Sequence, residues 1–189
     1  MNLKSAKLLS MRRPAQILRV LGVALVLLGS ARSQSPTAGE YQVKAAFLYN
    51  FAKFVEWPPG SFSNASAPLQ ICVFGRDPFG DELRTITSEK TVNGHRLEVR
   101  HVADLQHARS CHILFVASSE TPVKLILEGL RGASVLTVGD SKGFAEQGGM
   151  ISFVLENDRV QFEVSRKAAD EAGLKISSKL LSVAKLVIV

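Results

Sequence analysis

Three short apolar runs, at residues 69–75, 111–117 and 134–138, constrain the fold of this chain more than any other feature. They read LQICVFG, CHILFVA and SVLTV, with apolar residues on both sides of the extended chain. Strands of this kind are typical of a parallel sheet that is covered on both faces. Residues 96–102 alternate instead between apolar and polar types and predict a more exposed strand.

Helix and turn signals separate these strands. Asp77 and Pro78 fit the N-cap and the first position of a helix that runs through Glu89. Residues 150–155 and 160–164 flank a turn sequence, Glu-Asn-Asp-Arg, and predict an antiparallel hairpin. The alternation of strands and helices predicts an α/β fold with three layers and a mostly parallel sheet of about six strands, with the antiparallel hairpin near the C-terminus.

The segment 40–57 predicts a helix that is apolar on two sides. One side should cover the sheet, and the other should lie either beneath the C-terminal helices or against a partner or a second copy. A last helix, capped by Ser177 and Ser178, should turn Leu180, Leu181, Ala184 and Val187 inward and leave the side near Leu186 exposed. The residues expected in a partner or dimer interface are Phe47, Phe51, Phe54, Trp57 and Leu186.

Residues 1–31 have the three parts of a signal peptide. A basic stretch is followed by the short apolar run VLGVALVLL at residues 20–28 and by the small residues Gly29, Ser30 and Ala31. A retained membrane anchor is the alternative, but the apolar run is much shorter than the roughly 20 residues that span a bilayer. We therefore expect export to the periplasm, a flexible lead-in at residues 32–39, a single domain at residues 40–189, and no membrane insertion after processing.

The net charge argues against a nucleic-acid partner. The chain has a formal charge of +6, but residues 1–31 contain five basic residues and no acidic one, so the remainder has a charge of only +1. A nearly neutral domain lacks the electrostatic footprint of a protein that binds nucleic acid.

Cys72 and Cys111 are the two cysteines of the chain, and each lies in a predicted buried strand. In an oxidising compartment, neighbouring strands can hold two cysteines at bridging distance, so we expect a disulfide; two buried free thiols are the alternative. A zinc site built from Cys72, His107, Cys111 and His112 is disfavoured because adjacent residues of a strand point to opposite faces.

The sequence gives no positive indication of an enzyme. It contains no G-x-S-x-G elbow, Walker A motif or Rossmann glycine fingerprint, so we expect no catalytic residues, no cofactor and no metal. Small-ligand binding has limited support, because ligands of α/β sheets lie beyond the carboxyl ends of strands. The residues that could serve are Arg76, Asp140 and Ser141 at such ends, and Lys175 and Ser177 at a helix N-terminus.

Several segments of the chain resemble a known family in sequence and in order. They are YQVKAAFLYNFAKFVEWP at residues 41–58, ICVFGRDPFG at 71–80, VLTVGD at 135–140, GGMISF at 148–153 and AGLKISSKLL at 172–181. This pattern is similar to that of the YfiR-like periplasmic proteins and spans essentially the whole chain after the leader.

The resemblance implies a non-enzymatic periplasmic regulator. Such proteins bind and repress the periplasmic sensor domain of an inner-membrane diguanylate cyclase, which controls cyclic di-GMP and biofilm formation. An outer-membrane lipoprotein can sequester the repressor, and members form homodimers. Cys72 and Cys111 match the family's cysteine positions, whereas Ala145 and Ile151 stand where some members carry a second pair. The alternative function is a periplasmic small-ligand-binding component that feeds a sensor kinase or a transporter.

Overall fold

The computed structural model describes residues 38–189, so the expected signal peptide and most of the lead-in lie outside the described residues. The helices are α1 (Ala38–Phe54), α2 (Glu82–Thr87), α3 (Leu105–Ala108), α4 (Val123–Gly129), α5 (Arg166–Glu171) and α6 (Ser178–Leu181). The strands are β1 (Val55–Glu56), β2 (Leu69–Phe74), β3 (Thr91–Val92), β4 (His95–Val102), β5 (Ile113–Val116), β6 (Leu136–Gly139), β7 (Ile151–Glu156), β8 (Arg159–Ser165), β9 (Lys175–Ile176) and β10 (Leu186–Ile188). None of these helices is long and apolar enough to cross a membrane.

One sheet of eight strands organises the domain, in the order β10-β8-β7-β6-β5-β2-β4-β3. Strands β10–β8, β7–β6, β6–β5, β5–β2 and β2–β4 pair in parallel, while β7–β8 and β3–β4 pair antiparallel. The α/β fold and the antiparallel hairpin are therefore confirmed. The strand count exceeds the expected six because two- and three-residue strands, β3 and β10, close the two edges.

Successive residues of the central strands face opposite layers, which explains the uninterrupted apolar runs. In β2, Ile71 and Val73 lie in a core with α1, α2, α5 and α6, whereas Cys72 and Phe74 lie in a second core with α3 and α4. The domain consequently has three layers, and both faces of the central strands are buried.

Helix α1 is the central helix of the first layer. Leu48, Phe51 and Ala52 have no exposed surface, and α1 contacts α2, α6 and β8. Burial against these elements accounts for its second apolar side. The helical pattern of the sequence predicts Val43 on one apolar side of this helix, and that prediction is wrong: Val43 is 43% exposed, while the neighbouring Lys44 is buried.

Three helices differ in extent from the prediction. The helix expected from Asp77 begins at Glu82, because the Asp77 side chain accepts a hydrogen bond from the backbone N–H of Phe79 and Gly80 has a φ of +56°. The last helix, α6, is only four residues long, and Val187 lies in the edge strand β10 rather than on the helix. Residues 55–56 form β1, which pairs antiparallel with β9, instead of continuing α1.

Candidate functional site

The N-terminal turns of α1 lie over the carboxyl edge of the sheet and meet Asp140, the residue that follows β6. The ammonium Nζ of Lys44 lies 2.7 Å from Asp140 Oδ2 and 2.6 Å from Glu40 Oε1. The Tyr41 hydroxyl donates to the same Asp140 oxygen at 2.8 Å. We call Glu40, Tyr41, Lys44, Asp140 and Ser141 the carboxyl-edge cluster.

This cluster is shielded from solvent. The side chains of Lys44 and Asp140 are only 5% and 6% exposed. Burial, followed by the negative charge of Asp140, raises the pKa of Tyr41 well above its ordinary value. Tyr41 therefore remains a neutral donor to Asp140 across the physiological pH range.

Two buried polar atoms of the cluster have no hydrogen-bond partner among the described residues. They are Asp140 Oδ1 and Ser141 Oγ. Both strong donors, Tyr41 and Lys44, bind the other carboxylate oxygen. An unpaired buried carboxylate oxygen is costly, so this position favours a donor group from water or from a small ligand.

The five residues expected to bind a ligand do not form one site. Asp140 and Ser141 lie in the carboxyl-edge cluster, and Arg76 is exposed on the same edge, after a strand two positions away in the sheet. Lys175 is exposed in β9, and Ser177 caps α6, where its backbone N–H also donates to Phe54 O at the opposite end of α1. Asp140 meets Tyr41 and Lys44, whereas Ser177 meets Phe54 ten to thirteen residues later on α1, so roughly 15–20 Å of helix separates the two groups.

An aromatic cluster at the amino edge of the sheet was not expected from the sequence. The Phe62 ring stacks on His95 at 3.8 Å and on His112 at 4.2 Å between centroids, so the imidazoles lie on opposite sides of the phenyl ring. Trp57 meets His112 edge-on and donates from Nε1 to the His112 carbonyl at 3.2 Å. We call Trp57, Phe62, His95 and His112 the aromatic clamp.

The two histidines hold the loop that carries Phe62. His95 Nδ1 donates to Ala67 O at 2.6 Å, and His112 Nε2 donates to Ser61 O at 3.1 Å. His112 Nδ1 accepts from the backbone N–H of Gln70, which requires a neutral imidazole. Burial, and to a smaller extent the nearby His95, lowers the pKa of His112.

No pairwise histidine motif marks these residues in the sequence. His95 and His112 come together only because β4 and β5 lie on either side of β2. This order of strands cannot be read from the local sequence pattern, so nothing in the sequence indicated the aromatic clamp.

The residues expected in a partner interface differ in accessibility. Phe51 is completely buried, and Phe47 is half-buried between Phe153 and Phe162. Phe54 and Trp57 are half-buried near the amino edge, and Leu186 is 50% exposed on β10. In this structure Phe51 therefore serves the core, and the accessible members are at the end of α1 and on the edge strand.

Cys72 and Cys111 form a disulfide, in agreement with the prediction. Their Cα atoms are 6.0 Å apart, and the bond joins β2 to Cys111, which lies two residues before the start of the neighbouring strand β5. The two residues are 0% and 4% exposed, in the core beneath α3 and α4. Because the bond is buried in a packed layer, we assign it a structural role.

A groove of about 580 Å³ lies between α4, the loop 143–149 and α5. Its charged lining contains both signs, namely the basic Arg131 and Lys167 and the acidic Glu128, Glu146 and Glu171. This mixture favours no particular class of charged ligand. Within residues 38–189, no group of three or more His, Cys, Asp or Glu side chains could hold a metal ion.

Comparison with known proteins identifies the domain. A family model described as YfiR/HmsC-like matches residues 41–185. No curated protein matches the chain significantly.

Two solved structures are similar in shape at low sequence identity. A conserved domain protein from Vibrio cholerae O1 biovar El Tor str. N16961 has a TM-score of 0.52 at 10% identity, covering 78% of this chain and 60% of that one. The likeness shows the fold alone, and the present chain spans only 60% of the length of that structure. An ABC domain in complex with L-Trp from Streptococcus pneumonia has a TM-score of 0.42 at 13% identity, covering 63% of this chain and 55% of that one. A TM-score this low supports no argument about function.

Proposed function

The chain belongs to the YfiR/HmsC-like family of periplasmic regulators, and from this premise we propose that it binds and represses the periplasmic sensor domain of an inner-membrane diguanylate cyclase. The observation that carries the proposal is the extent of the family match, which covers residues 41–185 and thus every layer of the domain. In this role the protein performs no catalysis. Its effect on cyclic di-GMP and biofilm formation comes from binding alone.

Export is part of the same proposal. Residues 1–31 act as a cleaved signal peptide, so the periplasmic protein starts near Arg32. Mass spectrometry of the periplasmic protein should find an N-terminus within a few residues of this position. An intact Met1 in the soluble periplasmic fraction contradicts the signal peptide.

The end of α1 offers the best surface for such a partner. Phe54 and Trp57 are half-buried near the end of α1, and Phe62 of the aromatic clamp meets the same His112 ring as Trp57. The nearly neutral domain offers little long-range steering, so the affinity must come from a packed apolar contact with a polar rim. We propose that Phe54 and Trp57 are central residues of this contact.

Substitution of these residues in the bacterium tests the proposal. Phe54→Ala and Trp57→Ala should each weaken partner binding by about 2 kcal/mol, or roughly thirtyfold, if they are central contacts. The matched control is Leu125→Ala, which removes an exposed apolar side chain from α4 in the opposite layer. Melting curves of each variant separate a lost contact from lost folding. If the folded Phe54→Ala and Trp57→Ala variants still repress normally, the end of α1 is not part of the interface.

A second candidate function rests on a separate observation. The unpartnered Asp140 Oδ1 and Ser141 Oγ favour a ligand that presents hydrogen-bond donors at the carboxyl edge of the sheet. In that case the protein is a small-ligand-binding component that feeds a sensor kinase or a transporter. Asp140→Asn should then abolish ligand binding while cyclic di-GMP stays unchanged.

The partners implied by the family resemblance complete the proposal. A homodimer is the expected form of the free protein, and an outer-membrane lipoprotein is the expected competitor for it. The proteins that co-purify with the processed protein from detergent-solubilised envelopes identify both. Recovery of a transporter or a kinase instead of a cyclase favours the second candidate function.

A further inference from the structure

Strand β10 forms an edge of the main sheet. Leu186–Ile188 pair in parallel with Glu163–Ser165 of β8, and no other described strand lies on the outer side. The backbone N–H of Lys185 donates to Phe162 O in β8. Because the direction of N–H and C=O alternates along a strand, the N–H and C=O groups of Leu186 and Ile188 point away from the sheet.

The side chains of this edge are apolar. Leu186 is 50% exposed, Val187 and Ile188 are half-buried, and residues 186–188 contain no charge or proline. Charged side chains and prolines are common devices by which proteins protect an edge strand from pairing. The other edge, β3, is a two-residue strand preceded by two exposed charged residues, Glu89 and Lys90, whereas β10 is preceded by one, Lys185, which pairs with Glu156 of β7.

We propose that β10 pairs antiparallel with β10 of a second copy, with Val187 on the two-fold axis. In this register, Leu186 faces Ile188 of the other copy and the two residues exchange their outward N–H···O hydrogen bonds. The two-fold axis repeats the same exchange on its other side, so the outward backbone groups of both edges are satisfied together. The main sheet then continues from one subunit into the other.

A second copy fits this edge because the segment is complementary to itself. Leu186 and Ile188 of the other copy meet on one face of the joined sheet, and the two Val187 side chains meet on the other. Every cross-strand pair is apolar, and no like charges face each other within residues 186–188. A self-complementary patch of this kind is what an isologous two-fold interface requires.

The inference names the surface through which the homodimer of the proposed function forms. It rests on the proposed function only for the existence of that homodimer. Pairing of β10 is a property of the purified protein and needs no cyclase. A deletion strain with unchanged cyclic di-GMP would overturn the repressor function and leave this pairing standing.

Cysteine cross-linking tests the register. Val187→Cys places two thiols across the axis in a non-hydrogen-bonded pair, whose Cα atoms lie about 4.5 Å apart, within disulfide range. Leu186→Cys is the matched control, because its two copies lie about 8 Å apart along the joined strands. No free cysteine is present in residues 38–189, so the introduced thiol alone can react.

We expect mild oxidation of the processed protein to convert most of Val187→Cys, and little of Leu186→Cys, into a dimer on a non-reducing gel. Exposure alone predicts the reverse order, since Leu186 is the more exposed residue. Equal cross-linking of both variants, or stronger cross-linking of Leu186→Cys, overturns the proposed register.

A charge pair tests the same contact without oxidation. Leu186→Lys with Ile188→Lys sets lysine opposite lysine in the dimer, whereas Leu186→Lys with Ile188→Glu sets lysine opposite glutamate. Both double variants lose the same apolar side chains, and melting curves check that both are folded. Sedimentation should show a monomer for the first and a dimer for the second. The same oligomeric state for both variants overturns the pairing and favours a foreign strand or no partner at β10.

Discussion

Removal of the buried disulfide gives the sharpest stability prediction. Cys72 and Cys111 are 39 residues apart in sequence, and the bond closes a loop of that size in the unfolded chain. In the chain-entropy model, such a loop is worth about 4 kcal/mol at 25 °C. For a domain of this size, a loss of that magnitude corresponds to a fall of about 10 °C in melting temperature.

The assay compares urea unfolding of the oxidised protein with that of Cys72→Ala, Cys111→Ala and the double variant. All three variants lack the cross-link, so the differences among them measure only the packing of the removed sulfur atoms. The difference between the oxidised protein and the least destabilised variant then gives the contribution of the cross-link. Mass analysis of the oxidised protein should show it two hydrogen atoms lighter than the reduced form.

A loss below about 1 kcal/mol in all three variants would refute the reasoning, because the loop constraint predicts about four times as much. Free thiols on freshly isolated protein would refute it at an earlier step. A large loss in the double variant alone would assign the effect to packing rather than to the cross-link.

Three further predictions concern single side chains. Burial lowers the pKa of His112, so on acidification the unfolded chain binds the proton before the folded chain does, and the free energy of unfolding should fall as pH drops from 7 to 5. Urea titrations of His112→Gln should show a smaller fall over this range, and an equal fall would contradict the prediction. Lys44→Met should destabilise the fold by about 3 kcal/mol in calorimetry, because it leaves the buried Asp140 without its cation. Adding Asp140→Asn to this variant should recover part of the lost stability, and no recovery would contradict the pairing. Gly139→Ala should cost about 2 kcal/mol in the same measurement, since the added Cβ would overlap the buried Phe144 ring, and an unchanged melting temperature would contradict this packing.

The central strands were predictable because burial on both faces leaves a local signature. Residues 69–75 and 111–117 are apolar on both sides, and the structure places β2 and β5 within them. The hairpin was predictable for a different local reason: Asn157 and Asp158 adopt positive φ, a conformation that these residue types tolerate well.

The helix boundaries failed where a side chain competed with the backbone. Asp77 looked like an N-cap, but its carboxylate binds the N–H two residues later and forms a turn instead of opening a helix. After α6, the β-branched Val187 and Ile188 extend beside β8 because that pairing satisfies backbone groups that a helix would satisfy internally.

The carboxyl-edge cluster was predictable only in part. Asp140 was identified because it follows a buried strand, where ligands of α/β sheets bind. Lys44 was not identified, because a lysine within an amphipathic helix ordinarily lies in solvent. Its contact with Asp140 joins residues 96 positions apart and depends on how α1 crosses the sheet.

The most direct test of the central claim is the cyclase activity of membranes titrated with the purified protein. The membranes come from the encoding bacterium with this gene deleted, and the added protein starts at Arg32. The repressor proposal predicts that cyclic di-GMP synthesis falls with increasing protein, and that Phe54→Ala requires roughly thirtyfold more protein for the same effect. Synthesis that does not change at any concentration of the folded protein would contradict the claim.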